Sequence, residues 1–228
     1  MIELKNVWKA YRSGVMAVNN VSLHVRQGEF VYITGNSGAG KSSIMKILYL
    51  DAAAFQGEVL VCGENLQEMS GIEQTYYRRR LGIIFQDACL LPNRSVMENT
   101  ALPAKILGEN KRTRMKKARE ALEITGLSEK RFCLPCELSG GEMKKAALAR
   151  AIVNNPEIIL ADEPMANLDK ASAEKVLMIL EEMNRRGTTV IVTTHTKEFI
   201  PKVNNREVVI ENGRIISDGR NGGRSREA

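Results

Sequence analysis

The chain has 228 residues, 43% hydrophobic and 26% charged, a balance that suits one compact domain or a main domain with an inserted lobe, and excludes a largely disordered or fibrous chain. No stretch approaches the ~20 uninterrupted apolar residues of a membrane-spanning helix, and the start MIELKNVWKAYRSG has no apolar signal core, so the protein is expected to stay in the compartment where it is made. The 33 basic and 27 acidic residues leave +6, which admits nucleic acid, an anionic membrane surface or a phosphate-bearing ligand; the four cysteines, Cys62, Cys89, Cys133 and Cys136, read as reduced thiols.

Short β-patterned segments open the chain at 2–4, 21–25 and 57–61, with a continuously apolar run, Phe30-Val31-Tyr32-Ile33, that reads as a buried central strand. Helical spacing follows Lys41 through Ile44, Ile47 and Leu48, and returns over 113–124 and 171–183. The runs at 81–85, 157–161 and 188–192 suit parallel strands buried on both faces, and alternation of strands with helices predicts an α/β layer on a mainly parallel sheet. The segment from about 88 to 155 is mostly helical in pattern and interrupts the strand series, so it is expected to form an inserted helical lobe. Val208 to Ile216 places two apolar runs around Asn212-Gly213, a strong hairpin signal, and the Gly- and Arg-rich end from Gly219 on is expected to be a mobile basic tail.

After the Phe30–Ile33 run comes Gly35-Asn36-Ser37-Gly38-Ala39-Gly40-Lys41-Ser42, which satisfies G-x-x-x-x-G-K-[ST] between a predicted strand and a predicted helix. Glycines let successive backbone N–H groups turn inward, and the helix N-terminus adds partial positive charge. Lys41 supplies a full charge to the outer phosphates, and the Ser42 hydroxyl is a hard oxygen ligand for Mg²⁺. The ligand implied is a nucleoside triphosphate with Mg²⁺.

The strand Ile158-Ile159-Leu160-Ala161 delivers Asp162 and Glu163 at its C-terminal end, where ligands of open α/β sheets bind. Asp162 would hold Mg²⁺ and Glu163 would act as general base on the attacking water. Leu138-Ser139-Gly140-Gly141-Glu142 is a capping box that opens a helix, but a capping box does not need two adjacent glycines, which weaken a helix start. Glycines there leave N–H groups bare for an anion. One chain cannot readily bring this end and the Lys41 loop to the same triphosphate; two chains packed head to tail can.

With these motifs in order, the sequence resembles the nucleotide-binding subunits of ABC transporters, over about 2–219. The resemblance implies a P-loop NTPase of the ABC type spanning 1–219, with a mainly parallel core sheet, an antiparallel β subdomain, the helical lobe at about 88–155 and a flexible basic tail at 220–228. It implies ATP hydrolysis by a homodimer closing on two Mg-ATP. Tyr11 resembles the aromatic that stacks on adenine. Gly35, Asn36, Ser37, Gly38, Ala39, Gly40, Lys41, Ser42 and Ser43 resemble the phosphate cradle, and Ser139, Gly140, Gly141 and Glu142 the signature that meets the partner's nucleotide. Gln86 resembles the glutamine that senses Mg²⁺ and the γ-phosphate, Asp169 the loop residue facing the opposite subunit, and His195 the histidine that contacts the γ-phosphate. Ser42, Gln86 and Asp162 would face the metal; Glu163, His195 and Gln86 would serve hydrolysis.

Within the family, Gly35-Asn36-Ser37-Gly38-Ala39-Gly40-Lys41, Phe85-Gln86-Asp87 and Leu90-Leu91-Pro92-Asn93-Arg94-Ser95-Val96 are most similar to the cell-division subtype. That implies a membrane partner of the FtsX type docking near Gln86 and the helical lobe, a peripheral position on the cytoplasmic side of the membrane, and no specific nucleic acid. The alternatives are the ATPase of a lipoprotein-releasing or macrolide-type exporter, a soluble ABC-type ATPase acting on nucleic acid, and a non-catalytic nucleotide binder. The sequence departs from the usual pattern at Met143, Lys144 and Lys145 after the signature, at Met165 and at Thr196. Cys133 and Cys136, spaced C-x-x-C without a second pair, read as two thiols, and the basic run 111–119 as a solvated helix face.

Overall fold

The computed structural model describes residues 1–51, 55–200 and 205–220. In chain order they form β1 (Ile2–Ala10), β2 (Met16–Val25), β3 (Phe30–Thr34), α1 (Lys41–Leu48), β4 (Gln56–Val61), β5 (Glu64–Asn65) and α2 (Gly71–Arg79). Then follow β6 (Leu81–Ile84), α3 (Val96–Ile106), α4 (Lys111–Ile124), α5 (Gly140–Ile152), β7 (Ile158–Asp162), α6 (Lys170–Arg185), β8 (Thr189–Thr194), β9 (Arg206–Glu211) and β10 (Arg214–Arg220). The chain divides into two compact units, Met1–Arg78 with Thr189–Ala228, and Arg79–Thr188.

The first unit holds an antiparallel sheet in the order β2-β1-β4-β5 and a second set of strands in the order β10-β9-β3-β8. In that set β3 pairs in parallel with both β8 and β9, and only the terminal β9–β10 hairpin is antiparallel. Val31, Tyr32 and Ile33 on β3 and Val190, Ile191 and Val192 on β8 are fully buried, as expected of a parallel strand covered on both faces. The first strand runs longer than the 2–4 pattern suggests, because a bulge at Asn6, in the left-handed region, lets pairing resume at Val7.

The hairpin turn falls on Asn212 and Gly213, both with positive φ, as that dipeptide signals. Arg206 secures it with a forked bond to Asp218 (2.7 Å twice) and one to Glu29 (3.0 Å). β10 continues to Arg220, so the first two residues of the expected tail are paired with β9; 221–228 lie outside the described residues.

The second unit holds the parallel pair β6–β7 and helices α3 to α6. Gly82 on β6 is needed here: a Cβ at that position would lie 2.7 Å from the Ala151 carbonyl oxygen, so α5 lies against this strand backbone to side-chain-free backbone. Among the described residues no helix is long and apolar enough to cross a membrane.

Candidate functional site

In the first unit the loop between β3 and α1 is shaped by backbone packing. A Cβ on Gly35 would meet the Ile210 carbonyl at 2.2 Å, and one on Gly40, at φ 110°, the Ala17 carbonyl at 2.2 Å. The hairpin turn braces the same loop, since the Gly213 N–H donates to the Ala39 carbonyl at 2.9 Å. Gly40 is the N-cap of α1 and supplies no side-chain cap, and no acidic residue occupies the first turn. That leaves a helix N-terminus with its partial positive charge reinforced by Lys41 instead of neutralised. Lys41 is buried, and its ammonium donates to the carbonyls of Gly35 (2.8 Å) and Asn36 (3.1 Å), which holds the charge within the loop. Asn36, Ser37 and Gly38 are exposed, and Ala39 is buried against the loop's own support.

Two further residues arrive at this loop. The Tyr11 hydroxyl lies 3.1 Å from the Ser43 hydroxyl, and the Lys9 ammonium sits 5.4 Å from the Tyr11 ring centre. Parallel pairing sets Thr34 opposite Thr194, so His195, the next residue after β8, is level with Gly35; it is exposed there. The first unit therefore gathers an aromatic, a phosphate-loop lysine and serine, and a histidine at one end of its parallel strands.

The second unit gathers the acids. β6 and β7 pair in parallel with Ile84 opposite Ala161, so Phe85 and Gln86 leave the pair at the same end as Asp162 and Glu163. β6 ends at Ile84, one residue earlier than the sequence pattern suggests, and Gln86 stands exposed beyond it. Asp162 and Glu163 are buried, and Glu163 has φ 48°. A left-handed glutamate costs about 1–2 kcal/mol, and such strain is kept where the surrounding structure needs the side chain aimed one way.

At the start of α5 the capping box forms in full. The Ser139 hydroxyl accepts from the Glu142 N–H (3.3 Å), and the Glu142 carboxylate accepts from the Ser139 N–H (2.8 Å) and hydroxyl (3.0 Å). Those bonds hold the Glu142 carboxyl below the usual glutamate range, the backbone N–H contributing most. A Cβ on Gly140 would meet nothing, and one on Gly141 only Ser172 and Leu168 at ordinary contact, 3.6 and 3.7 Å. The fold does not require either glycine. The same contacts bring the start of α5 beside that of α6, where Asp169 is the N-cap, exposed and bonded to the Ser172 N–H at 3.0 Å.

Three residues that the motif reading left unassigned organise the chain after β6. Lys144, half-buried, donates to the Gln86 carbonyl, and Arg150 donates to those of Cys89 (2.6 Å) and Ala88 (2.9 Å). Burial pushes the Lys144 ammonium below the usual lysine range, against the opposite pull of Asp87, Asp162, Cys89 and Glu163. Asn99, fully buried on α3, bonds both the N–H (2.7 Å) and carbonyl (3.1 Å) of Leu91, and the carbonyls of Arg94 and Ser95. The signal for Lys144 is its place directly after Met143, where the sequence departs from the usual signature; its partner, 58 positions away, is invisible in the sequence.

Hard oxygen donors suited to Mg²⁺ are present as the Ser42 hydroxyl, the Asp162 carboxylate and the Gln86 amide. Among the described residues no group of three His, Cys, Asp or Glu side chains could hold a metal alone.

Residues 18–166 match the ABC transporter family. The chain is 42% identical over 218 residues to the cell division ATP-binding protein FtsE of Bacillus subtilis (strain 168), covering 96% of each. It is 37% identical to FtsE of Escherichia coli (strain K12) over 215 residues, 94% of this chain and 97% of that one. Among solved structures, it superposes with a TM-score of 0.91 and 34% identity on a dimeric ATP-binding cassette in a post-hydrolysis state bound to ADP and Pi, covering 98% of this chain and 100% of that chain.

Proposed function

The chain belongs to the ABC transporter family and is an ATP-hydrolysing, nucleotide-binding subunit; on that premise we propose that two copies close head to tail around two Mg-ATP and drive a membrane partner of the FtsX type in bacterial cell division. The observation that carries the dimer is the start of α5. Gly140 and Gly141 have room for a side chain and no backbone need to be glycine, so their bareness serves a group outside the chain. A γ-phosphate fits that place, since helix N-terminal N–H groups favour an anion.

In this reading Lys41 and the loop 35–43 hold the β- and γ-phosphates, Tyr11 stacks on the base, and His195 contacts the γ-phosphate. Ser42 and Asp162 hold Mg²⁺, which neutralises charge on the phosphates, and Gln86 faces the same group. Glu163 takes a proton from the attacking water as its oxygen bonds to the γ-phosphorus and the bond to the β-phosphate oxygen breaks. Asp169 faces the other subunit. The 1–219 cassette would act as one ATPase domain with its lobe at about 88–155. The cell-division role follows the FtsE relatives, whose names carry it, and a peripheral position at the cytoplasmic face would follow from driving a membrane partner.

Glu163→Gln tests the reading. It should keep ATP binding, lose hydrolysis, and accumulate as an ATP-dependent dimer in size-exclusion chromatography with light scattering. Hydrolysis at the parental rate would remove Glu163 as the base, and a variant that stays monomeric with ATP bound would remove the head-to-tail site.

A further inference from the structure

Lys144 sits in the second turn of α5, on the helix whose first turn carries the glycine signature. Its ammonium reaches the Gln86 carbonyl, and the charged groups acting on it are Asp87, Asp162 and Glu163, with the Cys89 thiol. Arg150, further along the same helix, binds the next two carbonyls, those of Ala88 and Cys89. Asn99 then fixes the chain from Leu91 to Ser95. The segment after β6 is thus attached to helices almost without a gap, and every one of these bonds goes to main chain. Such contacts carry no information about the side chains they hold; they decide where those side chains start from. Of the three, only Lys144 combines the attachment with proximity to both acids of β7. A single charge-assisted bond there does two things: it fixes the backbone of Gln86, and it sets a positive charge near Asp87, Asp162 and Glu163.

We propose that Lys144 is a positioning residue for hydrolysis, clamping the Gln86 backbone to α5 so that Gln86 stands in register with Asp162 and Glu163. The proposal rests on the roles assigned to Gln86 and Glu163 above. Because the bond ends on the Gln86 carbonyl and touches neither Lys41 nor the loop 35–43, its loss misplaces the hydrolytic groups and changes ATP affinity little. Methionine keeps the apolar stem of Lys144 and removes the donor and charge, whereas arginine keeps both.

The test reads backbone carbonyl carbon shifts over 86–91 by NMR and steady-state ATPase kinetics on the full chain. Lys144→Met should move the Gln86 carbonyl resonance upfield, as expected when a carbonyl loses a charge-assisted hydrogen bond, and leave those of Ala88 and Cys89, held by Arg150, in place. The Leu91 carbonyl, held by Asn99, should not change. In the same variant kcat should fall about tenfold with KM for ATP within about twofold of the parent. Lys144→Arg should restore both readouts, and Lys145→Met, at the neighbouring surface position, should alter neither. An unchanged Gln86 carbonyl shift in Lys144→Met, a KM that rises in step with the loss of rate, or failure of arginine to restore would each overturn the proposal. If Glu163→Gln hydrolyses at the parental rate while Lys144→Met still moves the Gln86 carbonyl resonance, the hydrolytic roles fail and the clamp itself is supported.

Discussion

Two helix starts in this chain face the same physical problem and solve it in opposite ways. At α1 the N-cap is a glycine without a side-chain cap, the first turn has no acid, and its first residue is a lysine. At α5 the Ser139 and Glu142 side chains each accept from the other's N–H group and put a carboxylate in the first turn. By the helix dipole alone α1 is the worse start and α5 the better one. The difference teaches what each is for. α1 concentrates positive charge that an anion relieves, which suits it to hold phosphate by itself. α5 is already stable and carries bare glycines on top of a finished cap, which suits a surface offered to a ligand held elsewhere. A third helix sharpens this: α3 has the same box from Ser95 and Glu98, with Val96 and Met97 where α5 has Gly140 and Gly141.

The sharpest way to break the comparison is to put the same methyl group on each glycine. Gly40→Ala forces a Cβ to 2.2 Å from the Ala17 carbonyl at φ 110°. Together the clash and the left-handed backbone should cost about 3 kcal/mol, lowering the melting temperature by about 6–12 °C. Gly140→Ala has open space and gains helix propensity, so stability should rise by about 0.5 kcal/mol. On the proposed head-to-tail dimer its ATPase rate should nevertheless fall, because the methyl would stand where a partner's phosphate comes. Parental turnover with the expected gain in melting temperature would make α5's start only a cap.

These contrasts were unevenly legible in the sequence. The phosphate loop could be read because glycine spacing between an apolar strand and a helix has one physical use. The hairpin was legible from Asn212-Gly213, but not that its turn braces Ala39, since that bond depends on tertiary packing. α2 left no periodic signal: Tyr77 is its only buried residue, and the rest of the helix is polar or exposed. The acids at the end of β7 were legible as types, whereas the left-handed backbone of Glu163 was not, because a glutamate has no local preference for it. Lys144 was visible only as a departure from the family pattern.

A smaller effect separates the two boxes. Ser95→Ala and Ser139→Ala each remove an N-cap and should each cost about 1 kcal/mol in urea unfolding. On the proposed dimer only Ser139→Ala should also slow ATP turnover, because only its helix start would be offered to a nucleotide. Equal stability losses with equal, unaltered turnover in both variants would reduce α5 to the role of α3.

The smallest effect is electrostatic. Glu98 and Glu142 are both held below the usual glutamate range, chiefly by the backbone N–H of Ser95 and of Ser139 respectively. The folded state therefore binds these protons less readily than the unfolded chain. The stability they add is complete above the ordinary glutamate range and is lost as pH falls through the lowered folded values. Both carboxylates are open to water, so the contribution is small and screened by salt. In the free chain the two should titrate alike. When Glu163→Gln is locked as a dimer with ATP, a phosphate brought to the start of α5 adds negative charge beside Glu142 and none beside Glu98. Like charge favours the protonated form, so the Glu142 titration should move upward while that of Glu98 stays. Carboxyl carbon shifts measured by NMR, assigned through Glu142→Gln and Glu98→Gln, read the two groups separately. If neither moves when the dimer forms, no phosphate reaches α5, and the two capping boxes differ only in their glycines.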